Sequence, residues 1–247
     1  RSFGIEEYEF EGCKNMAMRI FENSLPSPSW GEFQSRPLLQ AYDIPVVTAD
    51  FAHSAAVAAD IADKIGYPVV LKIVSPDILH KSDFGGIRLN LHTRSDVLNA
   101  ATDLFSHFMD NFPSINIQGL LVESMVPKGH EMIIGMRRDP NFGPLIMFGI
   151  GGIFVELFND VAFGVAPIDR SYARKMIEKT KAGQVLAGLR GQKPCDIESV
   201  IDVLVKLSQL ALDFPQISEI EINPLVVYES GAVALDARTI FRTDNQK

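Results

Sequence analysis

The chain has 247 residues, room for one large domain or two small lobes, with an ordinary globular balance of 47% hydrophobic and 22% charged residues. A net charge of −8 excludes a general nucleic-acid surface but leaves room for a local basic pocket that takes phosphates. Cys13 and Cys195 stand far apart without a CxxC, which excludes a cysteine-rich zinc site and suits a reducing, cytoplasmic setting.

Residues 1–30 end in "SLPSPSW", whose Ser/Pro spacing reads as a linker that packs only peripherally. The chain opens on Arg1, so the reading expects a piece of a longer polypeptide. Beyond residue 30 the pattern becomes regular. Leu38, Leu39 and Tyr42 suit a short helix, and Ile44 to Val47 a short strand. Phe51, Ala55, Ala58, Ile61, Ala62 and Ile65 recur at helical spacing until Gly66 and Pro68 stop them. Val69 to Ser75 reads as a strand, and the alternation of Ile87, Leu89 and Leu91 as a half-buried one. Ser95 is the expected cap of a helix whose stripe runs from Leu98 to Phe112. Residues 31–118 therefore read as a lobe of helices on a small sheet.

The second lobe, 119–247, is denser in strands. "IQGLLVESMV", "HEMIIGMRRD", "GPLIMFGI" and "VAFGVAPI" are four candidates, with "DPNFG" as a turn. Helices follow from Arg170 to about Lys181 and from Asp196 to Phe214. "EIEINPLVVY", "ESG" and "AVALDARTI" close the chain as a hairpin. The fold class is α+β. No run of ~18 apolar residues and no signal-peptide pattern occurs, so no membrane partner is expected.

Three groups could carry chemistry. In the hairpin, Glu221 and Asn223 share a strand face, and a three-residue turn brings Asn223 opposite a residue near Asp236, with Arg238 two further on. Such oxygen donors suit Mg²⁺ with phosphates completing its shell, or make up a solvated polar face. Pro224 points to an edge or strand-end position. Lys72, inside "YPVVLKIVS", is either at an edge, snorkelling to water, or aimed into a cleft at an anion. The connector "LHKSDFGG" is either a polar loop or a phosphate site. In the second reading Gly85 and Gly86 let amides approach, Lys81 adds charge, His80 is nucleophile or proton carrier, and Asp83 orients its ring. "FGIGGIFVEL" imitates a dinucleotide fingerprint, but Phe154 holds the third glycine position and no helix opens there.

"YPVVLKIVSPDILHKSDFGGIRLNL", "LLVESMVPKGHEMIIGMRRDPNFGPLIMFGIGGIFVEL" and "SEIEINPLVVYESGAVALDAR" resemble, in order, the ATP-grasp portion of ADP-forming acyl-CoA synthetases of the acetate–CoA ligase type. The similarity covers most of residues 31–241 and extends more distantly to the succinyl-CoA synthetase β subunit. It implies an ATP-grasp fold, two lobes clamping a nucleotide, with ATP/ADP and Mg²⁺ as cofactors. By resemblance, Lys72 contacts the nucleotide phosphates. Glu123, Ser124 and Met125 form the hinge at adenine, Glu131 faces the ribose, and Asn223 and Asp236 bind Mg²⁺ with Glu221 beside them. Arg238 helps neutralise charge. "DFGG" covers the phosphates, and His80 relays a phosphoryl group to ADP. Gly164 stands where the family often has arginine, so one anion contact or salt bridge is expected to be missing. The implied partners are CoA-binding and ligase domains, upstream or on another subunit, and a small acyl-CoA. A regulatory, nucleotide-sensing part of a composite protein acetyltransferase is the alternative. A ligase passing an acyl-phosphate to an amine leaves His80 unexplained.

Overall fold

A computed structural model describes residues 7–24, 27–78, 81–152, 160–188 and 193–242. The chain divides into two compact units, one of Val47–Pro127 and one of Arg1–Val46 with Lys128–Lys247. The larger unit begins with helix α1 (Glu7–Glu22), strand β1 (Ser29–Trp30) and helix α2 (Glu32–Ala41). Helix α1 lies where the sequence suggests a linker. Its Phe10, Cys13, Ala17, Ile20 and Phe21 recur at helical spacing and pack on the unit's core. The Phe21 ring centre is 5.0 Å from that of Trp30 and 4.9 Å from that of Phe214. The Ser and Pro residues mark the end of this helix, not the character of the whole segment.

The unit Val47–Pro127 holds β2 (Ala49–Ala52), α3 (Ala55–Ile65), β3 (Val69–Val74), β4 (Ile87–Leu91), α4 (Arg94–Asn111) and β5 (Gly119–Ser124). Its antiparallel sheet runs β2-β5-β3-β4. Leu71 and Ile73 of β3 and Leu120 and Val122 of β5 pack with Ile61 of α3 and Leu104 and Phe108 of α4. Phe51 belongs to β2 and not to the helical stripe, because Ser54 caps α3 by accepting the Val57 amide (3.3 Å). Thr93, two residues before the expected cap Ser95, starts α4 through a capping box with Asp96. Strand β5 pairs with β2 and β3, both earlier in the chain, so it joins this unit and not the strands that follow.

The larger unit resumes with β6 (His130–Asp139), β7 (Gly143–Ile150), β8 (Val161–Val165), α5 (Arg170–Glu178), α6 (Lys181–Leu186), α7 (Ile197–Asp213), β9 (Ile217–Val227), β10 (Ala232–Ala234) and β11 (Ala237–Phe241). Among the described residues its sheet runs β1-β11-β9-β6-β7-β8, with β10 also on β9. Met132, Ile134, Ile146, Phe148, Ile220 and Ile222 point to one side and pack with Ile201, Leu204 and Leu207 of α7. The alternate positions, Glu131, Gly135, Met147, Glu221 and Arg238, therefore take the other face of the sheet. The helix expected over 170–181 is two helices, because Thr180 stops α5 and caps α6 by accepting the Gly183 amide (2.9 Å). Ile44 to Val47 forms no strand; Val46 makes a single bridge to Ala234.

Candidate functional site

Within the unit Val47–Pro127, Lys72 sits on an interior strand, not at an edge. Its neighbours Leu71 and Ile73 face the helices, so the lysine takes the opposite face. Lys72 is opposite Leu121 and Glu123 is opposite Val70, which makes lysine and glutamate diagonal neighbours. Their Nζ and Oε2 atoms are 2.8 Å apart, and both side chains are buried. The glutamate compensates the buried cation and holds its stem straight across β5. The two residues after Glu123 are tied down by main chain. The Ser124 amide donates to the Thr48 carbonyl (2.9 Å) and the Met125 amide to the Pro68 carbonyl (3.0 Å). Those two amides are spent inside the unit, so a base lying at this segment would meet other groups of it.

His80 lies outside the described residues, and its expected pairing with Asp83 with it. From Lys81 the connector is a tight turn that ends on β4. The Gly85 amide donates to the Ser82 carbonyl (3.0 Å) and the Gly86 amide to the Lys81 carbonyl (2.7 Å). Both glycine amides are thus used within the loop in this structure. Gly86 is required by close packing, since a Cβ there would stand 2.7 Å from Ile73 Cγ2. Asp83 is exposed at the tip, between Ser82 and Phe84.

The second group lies in the larger unit, on the sheet face away from α7. Pro224 is in the middle of β9, an interior strand, contrary to the edge position expected. It is tolerated because the β6–β9 register shifts there. Met132 faces Leu225 and Ile134 faces Ile222, so Asn223 and Pro224 together oppose the single residue Ile133. The proline lacks an N–H where the ladder asks for none. On the other side the Asn223 amide donates to the Asp236 carbonyl (3.1 Å), and the Leu235 amide to the Pro224 carbonyl (3.0 Å). Asp236 thus enters the site at the level of Asn223, and Arg238 stands opposite Glu221.

The Asn223 carboxamide is fixed at both ends. Its Nδ2 donates to Glu221 Oε1 (3.2 Å), and its Oδ1 accepts the Gly152 amide (3.2 Å). The Gly151 amide donates to the Glu131 carbonyl (2.8 Å). Gly152 has φ of +69°, and a Cβ on it would lie 2.5 Å from Glu131 Oε2. The glycine pair that imitates a dinucleotide fingerprint is therefore the piece that joins Glu131 to Asn223. Spacing alone did not assign it a role; two adjacent glycines directly after a strand were the signal.

Among the described residues no three His, Cys, Asp or Glu side chains group at metal-binding spacing. Glu221, Asn223 and Asp236 are hard oxygen donors on one hairpin, and the Asn223 oxygen keeps a second lone pair. They fit Mg²⁺, which takes one or two carboxylates and fills its shell with phosphate oxygens and water. Gly164 faces α5: a Cβ would stand 2.5 Å from the Tyr172 ring and 2.7 Å from Met176 Sδ. A longer side chain there would meet α5, on the sheet face away from Glu221 and Arg238. No helix of the described residues is long and apolar enough to cross a membrane.

Residues 28–240 match the family described as ATP-grasp domain. The chain is 45% identical over 209 residues to acetate–CoA ligase [ADP-forming] I subunit beta of Pyrococcus furiosus, covering 85% of this chain and 90% of that one. It is 47% identical over 204 residues to acetate–CoA ligase [ADP-forming] I of Archaeoglobus fulgidus, covering 83% of this chain but only 30% of that longer one. A solved structure of the dinucleotide forming acetyl-coenzyme A synthetase 1 of Ca. Korarchaeum cryptofilum superposes with a TM-score of 0.78 at 37% identity, covering 93% of this chain and all (100%) of that one. That protein is described in complex with coenzyme A and Mg-AMPPCP, its phosphohistidine segment pointing towards the nucleotide binding site. With the strand order, the Lys72–Glu123 pair and the Asn223 hairpin in place, these matches establish that the chain belongs to the ATP-grasp family, in the group of the ADP-forming acetate–CoA ligase β subunits.

Proposed function

We propose that this chain is the nucleotide-handling part of an ADP-forming acyl-CoA synthetase, which moves a phosphoryl group between ATP/ADP and histidine. The whole reaction is acyl-CoA + ADP + phosphate ⇌ acid + CoA + ATP. The CoA-binding and ligase portions come from the rest of the polypeptide or from another subunit, and the setting is cytoplasmic. The observation that carries this reading is the Asn223 carboxamide, clamped between Glu221 and the Gly152 amide with Asp236 alongside.

In this reading Glu221, Asn223 and Asp236 hold Mg²⁺, which supplies charge neutralisation on the phosphates when bound. Lys72 adds a fixed positive charge, kept in place by Glu123. Arg238, opposite Glu221 in the strand register, helps neutralise the charge of the phosphates. Glu131 takes ribose hydroxyls, its position set by Gly152. The segment Glu123–Met125 lines the base through groups other than the two amides already used. His80 is the relay. In the ATP-forming direction its phosphorus–nitrogen bond breaks as an ADP β-phosphate oxygen attacks, and the electron pair returns to the ring. Lys81 steadies the group in flight. Asp83 orients the ring. Such a transfer needs in-line placement and electrostatics more than covalent chemistry.

The test is calorimetric titration of ATP with and without Mg²⁺. Asp236→Asn weakens binding roughly tenfold in Mg²⁺, where ligand charge counts, and leaves Mg²⁺-free binding unchanged. Identical titrations for wild type and variant would sink the hairpin as the cation site.

A further inference from the structure

The turn Lys81–Gly86 is fastened from outside itself. His107 Nε2, on α4, lies 3.0 Å from the Phe84 carbonyl oxygen. Asn111 Nδ2 lies 3.2 Å from His107 Nδ1 and donates to the His107 carbonyl (2.9 Å). A carbonyl oxygen only accepts and an amide nitrogen only donates, so the partners assign the neutral tautomer with hydrogen on Nε2. The peptide unit between Phe84 and Gly85 is then held at both ends: its oxygen by His107, its N–H by the Ser82 carbonyl. Arg88 Nη1 donates to the next carbonyl, Gly85 (2.7 Å). The Phe84 ring meets Phe112 edge to face at 5.4 Å. An aromatic anchor fixes where the turn sits. The hydrogen bonds from Gly85 to Ser82, from Gly86 to Lys81, from Arg88 to Gly85 and from His107 fix how its peptide planes are rotated, and that of His107 ties the turn to α4.

We propose that His107 is a positioning residue for phosphoryl transfer. By holding the Phe84 carbonyl it locks the Lys81–Gly86 turn, which directly follows His80 in the sequence. The inference rests on reading His80 as the relay. His107 touches neither nucleotide nor phosphate in this account. Removing it therefore leaves affinity intact and slows the chemical step, because a misplacement of about 1 Å costs roughly 100-fold in rate.

Three variants of the full protein, together with the rest of its enzyme, decide the matter. His107→Leu keeps an apolar side chain against Phe108 and Phe112 but has no donor. His107→Gln puts an amide N–H where ring Nε2 stands. Asn111→Leu removes the group that selects the tautomer. Single-turnover labelling of histidine from γ-labelled ATP is compared with the ATP Kd, the Tm and hydrogen exchange at the Gly85 and Gly86 amides. The expected result is labelling slowed roughly 10- to 100-fold in His107→Leu, faster exchange at both amides, and a Kd within about twofold. His107→Gln restores most of the rate and the protection, and Asn111→Leu falls between. If His107→Leu exchanges and labels like wild type, the positioning role is overturned while the relay stands. If exchange rises but labelling does not change, His107 is structural only. If wild type itself takes no label, the relay fails and the positioning role fails with it.

Discussion

Lys72 and Glu123 are diagonal neighbours across β3 and β5, with Nζ 2.8 Å from Oε2 and both side chains buried. A buried pair of this kind contributes little net stability but is costly to break from one side, about 3–5 kcal/mol. Lys72→Met is therefore expected to destabilise the protein by about 3 kcal/mol or more and to weaken ATP binding. The double variant Lys72→Met with Glu123→Leu removes both charges and recovers most of the stability, but not the affinity. Urea unfolding together with ATP titration separates the two effects. Restored affinity in the double variant would show that the pair is architecture alone.

Gly152 is the second sensitive point. Alanine there must adopt a left-handed conformation and push the Glu131 carboxylate away, since its Cβ would start 2.5 Å from Oε2. The expected cost is about 1 kcal/mol of stability or slightly more, with a clear loss of nucleotide affinity, because the amide that orients Asn223 moves as well. Stability that falls while affinity holds would detach this glycine from the site.

Asp196 links the hairpin to α7. Its Oδ1 accepts the Ser199 amide (3.1 Å), and its Oδ2 accepts the Ser199 hydroxyl (2.8 Å) and the Gly231 amide (2.8 Å). The Gly231 bond first, then those from Ser199, hold this carboxyl below the usual carboxylate range. A depressed folded pKa gives stability that is fully present above the unfolded value, about 3.9, and lost as pH falls through the folded value. Asp196→Ala should cost about 1–2 kcal/mol near neutral pH, the range for losing an N-cap. The gap to wild type should close in urea melts below about pH 4. A gap constant from pH 7 to pH 3 would contradict this.

The long strands His130–Asp139 and Gly143–Ile150 were legible as apolar runs on either side of the turn "DPNFG". The pairing of Asn223 with the Asp236 main chain was legible as well, since a short turn leaves little freedom of register. Helix α1 was obscured by the prolines that follow it. Strand Ala49–Ala52 is hidden because Phe51 also fits the helical spacing that continues through α3, and four residues are too short a run to separate the two periods. Pro224 in an interior strand depends on a register shift, and a shift is a property of two strands rather than one. Lys72 could be read as an ambiguous buried cation; its partner Glu123 is 51 positions away and only the sheet order joins them. His107 gave no signal. Its contact with Phe84 comes from packing α4 beside the turn.

The central claim is that this chain carries phosphoryl groups on His80, and one measurement addresses it most directly. Wild type and His80→Ala are incubated with γ-labelled ATP and Mg²⁺, with the ligase portion added in trans, and the protein-bound label is tested for stability to acid and alkali. The account predicts a label that is acid-labile and alkali-stable in wild type, lost in His80→Ala, with ATP binding unchanged. Equal labelling of the variant, at a site that maps to this chain, would contradict it.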